Sequence, residues 1–292
     1  MSGEAAKRND LAIGERFDRP ILIVSSPRSG STLLFETLAK APGLFTVGSE
    51  SHNIIESIRG LHPINRNWDS NRLTAADAHP RIVEALLNGF AARLRDRNAR
   101  PPEGPVRFLE KTPKNSLRIP FFDAIWPDST FVYLYRDVRQ TLASMIEAWV
   151  SGRFRTYPHL PAWSGHPWSL LLVPGWEGLR GQPLPVIVAN QWAITTAIML
   201  DDLESLPRDR VRIVRHSDFV AAPDEQMERL SKSLAVGWDR ALGKTLPLSA
   251  FTVSRPDPDK WRRLESEIES VMPIVAEADS RAQAFVASVA GA

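Results

Sequence analysis

The sequence predicts an α/β protein with a three-layer architecture: a mostly parallel central sheet with helices on both faces. Short apolar runs rich in β-branched or aromatic residues alternate along the chain with segments of helical periodicity. Such uninterrupted apolar runs are typical of strands buried on both faces, as in parallel sheets. The alternation of strand and helix favours crossover connections and therefore parallel pairing.

Four segments are predicted strands: residues 20–24, 106–109, 130–135 and 211–214. The helices are predicted over residues 31–41, 81–97, 115–126, 138–150 and 190–206, with further helices from about 223 and from 260. Apolar side chains recur at helical spacing in these segments, and Pro42-Gly43 ends the first of them. Proline lacks a backbone donor, so we expect a kink or a fresh start at Pro120 and a break at Pro273.

Length and composition limit the domain organisation and the class of function. The 292 residues are enough for one large domain, predicted over 19–292 after a flexible leader at 1–18. A formal net charge of +2 gives no reason to expect nucleic acid or an anionic membrane as the main partner. The absence of cysteine excludes disulfides and thiolate metal sites. We also expect no signal peptide and no membrane span, and hence a cytoplasmic location.

A loop rich in hydroxyls joins the first strand to the first helix. It comprises residues 25–32 and contains Arg28, Ser29, Gly30, Ser31 and Thr32. The start of a helix offers free backbone N–H groups and a partial positive charge, and glycine lets the backbone approach an anion closely. Arginine adds a forked, charged donor. The loop therefore predicts an oxyanion site, although a serine-capped helix after an ordinary strand is the plainer alternative.

A nucleotide kinase with a degenerate P-loop is an alternative interpretation of this loop. The motif GxxxxGK[ST] holds phosphates in the same way, but its first glycine and its lysine are missing here. A kinase would also need magnesium and a carboxylate to hold it. A module that binds an adenosine phosphate without catalysis is a third alternative.

A second anion site is predicted after the strand at 130–135. Arg136 follows that strand directly, and Ser144 lies eight residues later in the next helix. Because the carboxyl ends of parallel strands share one edge of the sheet, Arg136 is expected on the same edge as Arg28. Taken alone, this pair is equally consistent with a local salt bridge to Asp137.

Taken together, the two segments resemble PAPS-dependent sulfotransferases of the bacterial and tyrosylprotein-type branch. Residues 27–32 (PRSGST) resemble the 5'-phosphosulfate loop, and Arg136 with Ser144 resembles the 3'-phosphate site. Residues 110–115 are similar to the "KTP.N" segment, 211–219 to the "vRYEDL" strand and 260–261 to the late "KW" element. The resemblance implies the P-loop-like sulfotransferase fold, 3'-phosphoadenosine 5'-phosphosulfate (PAPS) as co-substrate and no catalytic metal.

The resemblance also implies in-line transfer of a sulfuryl group to an acceptor hydroxyl. Arg28 would stabilise charge on the leaving oxygen, because arginine stays protonated. Glu50 is the favoured general base, with His52 as the alternative. Lys111 is expected near the sulfate or the acceptor, and Glu110 to pair with Lys111 or Arg28. Two late residues complete the nucleotide site: Arg255 on the 3'-phosphate and Lys260 on a cofactor phosphate.

An insertion over about 151–187 is the predicted substrate lid. It is rich in tryptophan and proline, and irregular loops with aromatic residues often form binding walls. A surface loop anchored by tryptophan, or a contact in a homodimer, is the alternative interpretation. A small molecule, sugar, lipid or carrier-bound hydroxyl all stay open as the acceptor. His159 and His166 lack the spacing of metal ligands.

Overall fold

The computed structural model describes residues 13–243 and 246–290. Five strands form one sheet in the order β2-β3-β1-β4-β7, and every neighbouring pair is parallel. Their bounds are β1 Ile21–Val24, β2 Leu44–Phe45, β3 Arg107–Lys111, β4 Thr130–Tyr135 and β7 Val211–Arg215. A separate antiparallel pair comprises β5 Arg155–Tyr157 and β6 Trp168–Ser169. The predicted parallel sheet is thus confirmed, with all four β1 residues buried at its centre.

Helices cover both faces of the sheet. They are α1 Ser31–Leu38, α2 His52–Ile55, α3 Pro80–Ala91, α4 Ile119–Ile125, α5 Val138–Ser151, α6 Leu184–Glu204, α7 His216–Ala221, α8 Pro223–Ser233 and α9 Glu265–Ala290. Alternate residues of β1 point to opposite faces. Accordingly, Leu22 and Val24 pack in one apolar cluster with α3 and α4, whereas Ile21 and Ile23 pack in another with α1 and α8. The three-layer prediction is confirmed.

The predicted break at Pro273 is wrong. Proline lies inside α9, which continues from Glu265 to Ala290. The ring removes one backbone hydrogen bond, but buried Val271 and Val275 anchor the helix on either side of it. Packing of α9 along α6 and β7 stabilises the helix despite the missing hydrogen bond at Pro273. Tertiary contacts therefore override the local signal.

The leader prediction needs a correction over residues 13–18. Residues 1–12 lie outside the described part of the chain, but Ile13–Arg16 forms a 3-10 turn. Phe17 then makes a parallel bridge to Val106 and is 5% exposed. Its ring packs on Phe108 and Trp126, with centroids at 5.6 and 5.4 Å. An aromatic residue whose partners are distant in the sequence gives no local sign that it is anchored.

The expectation that no segment approaches a membrane span also needs correction. Helix α6 has 21 residues and enough hydropathy to cross a membrane by length and composition. Half of its apolar window is buried inside the protein, where Gln191 and Thr195 are fully enclosed. It packs along α9 more extensively than any other pair of elements does in the described ranges. Burial of this kind is typical of the core helix of a globular domain.

The insertion is largely a core rather than an irregular lid. Trp168 and Trp176 are about 0–1% exposed and pack in one apolar cluster with Trp149 of α5 and Trp192 of α6. Hydrogen bonds complete the packing, since Trp168 Nε1 donates to the Leu171 carbonyl at 3.0 Å. Within it, only residues 153–156, which run into β5, and Leu170 and Leu171 after β6 reach the cleft at the sheet edge. His159 and His166 are exposed at its surface.

Candidate active site

The phosphate loop, residues 25–30, connects β1 to the first turn of α1. Gly30 caps the helix with a φ of +98°, and a Cβ there would lie 2.5 Å from Cδ2 of His216. Only glycine fits this close approach. Arg28 itself has a φ of +66°, a backbone conformation that residues other than glycine rarely adopt. Within the loop, the hydroxyls of Ser26 and Ser29 are hydrogen bonded at 2.9 Å.

The second anion site lies beside this loop because β4 pairs directly with β1. Arg136 follows β4, and its Nη1 donates to the backbone carbonyl of Arg28 at 3.1 Å. Its Nε donates to Gln140 Oε1 at 3.2 Å, which fixes the guanidinium against α5. Ser144 is one turn further along α5 and lines the same cleft. The two arginines predicted at one sheet edge are therefore neighbours.

Both guanidinium groups are held in a desolvated, positive environment. Burial, and then the nearby charge of Arg28, lower the pKa of Arg136 to about 10. Burial likewise lowers the pKa of Arg28, whose buried Nε has no hydrogen-bond partner among the described residues. Burial and the charge of Arg136 lower the pKa of His216 to about 4, so this imidazole is neutral. Cations without a carboxylate partner favour the binding of an anion.

A cleft of about 1690 Å³ opens over these residues. This volume exceeds the usual range for one drug-sized ligand, so it can hold two reactants together. Among the described residues, its walls carry eight Lys or Arg against four Asp or Glu, which gives a positive balance of four: Arg28, Lys114, Arg136, Arg153, Arg155, Arg215, Arg255 and Lys260 against Glu50, Asp137, Glu147 and Asp257. The cleft is therefore suited to an anionic ligand.

The two candidate bases lie together where the chain enters α2, with Glu50 on the loop after β2 and His52 at the first position of the helix. Glu50 Oε1 accepts a hydrogen bond from Lys111 Nζ at 2.7 Å, and His52 Nδ1 lies 3.6 Å from Glu50 Oε2. Burial raises the pKa of Glu50, but His52 and the Lys111 ammonium lower it more, to about 2. Glu50 is thus a carboxylate that can accept a proton, and it lines the cleft.

Lys111 links the candidate base to the phosphate loop. Its Nζ also donates to Thr32 Oγ1 at 3.0 Å, in the first turn of α1. Its side chain is 2% exposed, which excludes a solvated surface lysine. Since consecutive residues of a strand point to opposite faces, Glu110 points away from it.

The expected ion pair of Glu110 with Lys111 or Arg28 is not formed. Glu110 Oε1 instead accepts hydrogen bonds from Ser51 Oγ, Thr112 Oγ1 and Asn115 Nδ2 at 2.5, 2.8 and 3.1 Å. The reason is geometric: Glu110 and Lys111 leave β3 on different sides of the sheet. No sequence pattern specifies such a set of partners.

The late segment at residues 246–258 lies along the cleft. Arg28 Nη1 donates to the carbonyl of Phe251 at 3.1 Å, and its guanidinium stacks 4.6 Å from the ring of Phe154. Lys260 Nζ donates to Glu147 Oε2 at 2.7 Å and to Ser254 Oγ at 2.8 Å. Arg255 lines the cleft as an exposed residue.

Sequence reasoning missed several of the residues that line this cleft. Arg215 ends β7 and His216 follows it, so the rule that ligands meet the carboxyl ends of parallel strands could have found them. Glu147 is three residues after Ser144 on α5, a spacing that puts both on one face of the helix. Phe154 and Phe251 carried no signal beyond their aromatic character.

A buried charge cluster lies next to the candidate base. The carboxylate of Glu56 accepts hydrogen bonds from Lys114 Nζ at 2.8 Å, from Arg118 Nη2 at 3.0 Å and from the hydroxyl of Tyr157 at 3.1 Å. Burial lowers the pKa of Lys114 to about 8. Because Tyr157 belongs to β5, the cluster fastens the insertion to the segment after β3.

Comparison with known proteins decides the family. The model of the sulfotransferase family matches residues 20–170, which is more than half of the chain and includes both arginines and the candidate bases. The chain belongs to the sulfotransferase family. This part of the protein contains the phosphate loop and the second anion site.

Two curated relatives are protein-tyrosine sulfotransferases. This sulfotransferase-family chain is 21% identical over 228 residues to a protein of Drosophila melanogaster and 25% identical over 131 residues to a putative one of Caenorhabditis briggsae. The alignments cover 77% and 45% of this chain but only 40% and 44% of the relatives. The chain thus spans less than half the length of the curated relatives that it matches.

A solved structure supports the fold. Sulfotransferase STF1 of Mycobacterium tuberculosis superposes with a TM-score of 0.50 at 15% identity, over 93% of this chain and 79% of that one. The similarity extends beyond the family match to the C-terminal half, where α6 and α9 pack against the sheet. The predicted P-loop-like sulfotransferase fold is confirmed.

Proposed function

We propose that this chain transfers a sulfuryl group from PAPS to the hydroxyl of an acceptor molecule. The observation that carries the proposal is the contact between the Arg136 guanidinium and the Arg28 carbonyl. It makes two anion sites adjacent, as a nucleotide with phosphates on both sides of its ribose requires. Family membership supports the same reaction.

The residues present fit this co-substrate. The buried Nε of Arg28, without a partner in the described ranges, is suited to a phosphosulfate oxygen together with the N–H groups at the start of α1. Arg136 and Ser144 would hold the 3'-phosphate, and Arg255 would add a further cation from the late segment. We propose Lys260 as a weaker phosphate ligand, since Glu147 already neutralises it.

When bound, PAPS supplies the sulfuryl group and leaves as 3'-phosphoadenosine 5'-phosphate (PAP). Glu50 accepts the proton of the acceptor hydroxyl, for which its carboxylate form is ready at neutral pH. Arg28 and the amides of α1 stabilise negative charge on the leaving oxygen. Lys111, which contacts both Thr32 and Glu50, keeps the base beside the phosphate loop. In this proposal His52 lowers the pKa of Glu50 and does not itself act as the general base.

The acceptor side of the cleft suggests a substrate with an apolar part. Phe154, Leu170 and Leu171 of the insertion line the same cleft as Glu50 and His52. Apolar walls with a few polar groups are typical of sites for small organic ligands. We therefore propose a phenol, sugar or lipid alcohol as the acceptor, and a soluble, cytoplasmic enzyme in which α6 is a core helix.

Calorimetry separates this function from its alternatives. We expect PAP to bind more tightly than ATP, and magnesium to leave PAP binding unchanged. Replacing Glu50 by Gln, which keeps an oxygen for Lys111, should lower PAP release from PAPS by about 10²–10⁴-fold in the presence of phenol, sugar or lipid alcohols. PAP affinity should stay within twofold, and Glu84→Gln on the exposed face of α3 is the matched control.

The opposite results would identify another function. Tighter binding of ATP with magnesium would identify a kinase. Tight PAP binding with no turnover of PAPS across the acceptor panel would identify a binding module. Equal turnover in the Glu50→Gln and wild-type proteins would exclude Glu50 as the base.

A further inference from the structure

The loop that carries Glu50 is fastened to the end of β3 by two adjacent residues. Lys111 holds Glu50 through the 2.7 Å contact to its carboxylate. Glu110 holds the next residue of the loop, Ser51, through a 2.5 Å hydrogen bond to its hydroxyl. Since neighbouring strand residues point to opposite faces, Glu110 and Lys111 contact the loop from opposite sides of β3.

The residues that connect Glu110 to Ser51 are completely buried. Glu110, Ser51 and Asn115 are 0–1% exposed, as is Thr112. Thr112 Oγ1 accepts from the backbone N–H of Ser51 at 2.8 Å and donates to Glu110 Oε1 at 2.8 Å. The side chain of Ser51 is therefore bonded to the end of β3, and its main chain to the residue that follows the strand. Buried hydrogen bonds of this kind fix geometry, because a broken partner is left unsatisfied.

The geometry points to a role for Glu110 beyond folding. We propose that Glu110 is a positioning residue that, through Ser51, sets the place of the Glu50 carboxylate against Lys111 and Thr32. The inference rests on the proposed function in that Glu50 is taken as the general base. A shift of 1 Å in such a group is enough to reduce catalysis strongly.

The chemistry of Glu110 is compatible with this role. It shares no hydrogen bond with Lys111, so it does not draw that ammonium away from Glu50. Burial raises the pKa of Glu110, which favours a neutral carboxyl beside the charged pair. Its Oε2 has no partner among the described residues, so an amide group can replace that atom without breaking a contact.

The test measures the titration of Glu50 and needs no acceptor. With ¹³C at the glutamate carboxyls, NMR between pH 3 and 7 follows the Glu50 signal, which is assigned by its loss in Glu50→Gln. In the wild-type protein, Glu50 should not titrate above pH 3, because its pKa is about 2. Ser51→Ala removes the hydrogen bond to Glu110. It should loosen the contact of Glu50 with Lys111 and move the titration midpoint of Glu50 toward about 4.3, the pKa of a free glutamate.

Two variants separate positioning from general loosening. Glu110→Gln keeps an oxygen for all three donors, so its Glu50 midpoint should match that of the wild-type protein. Ser231→Ala is the matched control, since this serine is equally buried and its hydroxyl has no partner in the described ranges. If Ser51→Ala does not fold, Ser51→Cys keeps the volume with a weaker donor, and the same shift is expected.

The outcomes either support or overturn the inference. A midpoint raised in Ser51→Ala and in Glu110→Met, which removes the oxygen that Ser51 contacts, with Glu110→Gln and Ser231→Ala unchanged, supports it. An unchanged midpoint in Ser51→Ala or Glu110→Met, or an equal shift in Ser231→Ala, overturns it. The titration is independent of turnover, so the inference and the proposed function can fail separately. A protein without sulfuryl transfer can still show the shift of the Glu50 midpoint, and an active enzyme can lack it.

Discussion

Replacing Arg136 tests whether the second anion site reads the 3'-phosphate. A guanidinium has five N–H donors, and two of those on Arg136 are engaged, by Arg28 and Gln140. The remaining three have no partner among the described residues and are available to an anion. A hydrogen bond to a charged group contributes about 1.5–3 kcal/mol. Arg136→Ala should therefore weaken PAP binding by about 10- to 150-fold.

The assay compares two nucleotides that differ only in the 3'-phosphate. Calorimetric titrations with PAP and with 5'-AMP are made on the wild-type protein, Arg136→Ala and Arg136→Lys. We expect the AMP affinity to change less than twofold, and Lys to restore part of the PAP affinity as a point charge. Arg139→Ala is the matched control, because Arg139 pairs with Glu269 on the outer face of α5.

An equal loss of PAP and AMP affinity in Arg136→Ala would refute this reasoning. The side chain would then act only by supporting the Arg28 carbonyl and hence the phosphate loop. The comparison is informative because one hydrogen bond of Arg136 supports that loop, while its free donors are assigned to the ligand. Only the second role distinguishes the two nucleotides.

Two further predictions concern stability. The folded pKa of His216, about 4, lies below its usual 6.5, so the unfolded chain binds the proton first as the pH falls. In urea titrations, the free energy of unfolding should drop by on the order of 2 kcal/mol between pH 6.5 and 4.5. The variant His216→Gln should lose much of this pH dependence. The control His159→Gln, at an exposed position, should keep it. Trp168→Ala should cost about 3–5 kcal/mol of unfolding free energy, as a buried core residue does, and clearly more than replacement of the partly buried Trp261 by Ala. An equal, small cost of the two variants in urea unfolding would restore the lid interpretation for this part of the insertion.

The main strands and the anion loop were predictable because local patterns encode them. The apolar run at 130–135 has the bounds of β4, and the loop at 25–30 follows β1 as expected. Three short elements, β2, α2 and α7, were missed. They are too short for a period to be visible, and contacts with the rest of the fold stabilise them.

The partners of side chains were not predictable from the chain order. The pair of Glu50 and Lys111 joins residues 61 positions apart, and the ring of Phe17 packs against Trp126. Sequence reasoning identified Lys111 as a candidate near the reaction but gave its neighbour Glu110 the wrong partner. Which face of β3 each of them leaves depends on the register of the sheet, and one residue of shift reverses it.

The distribution of charge explains how carboxylates and free arginines coexist in one cleft. Glu50 and Glu147 each accept a hydrogen bond from a lysine, Lys111 in one case and Lys260 in the other, both at 2.7 Å. Each carboxylate is thus neutralised locally, and neither forms an ion pair with Arg28 in the described part of the chain. A cleft with unpaired carboxylates would repel a nucleotide, and one without them would lack a base. Pairing Glu50 and Glu147 each with a lysine, while Arg28 and Arg136 keep donors for an anion, meets both requirements within one positive surface.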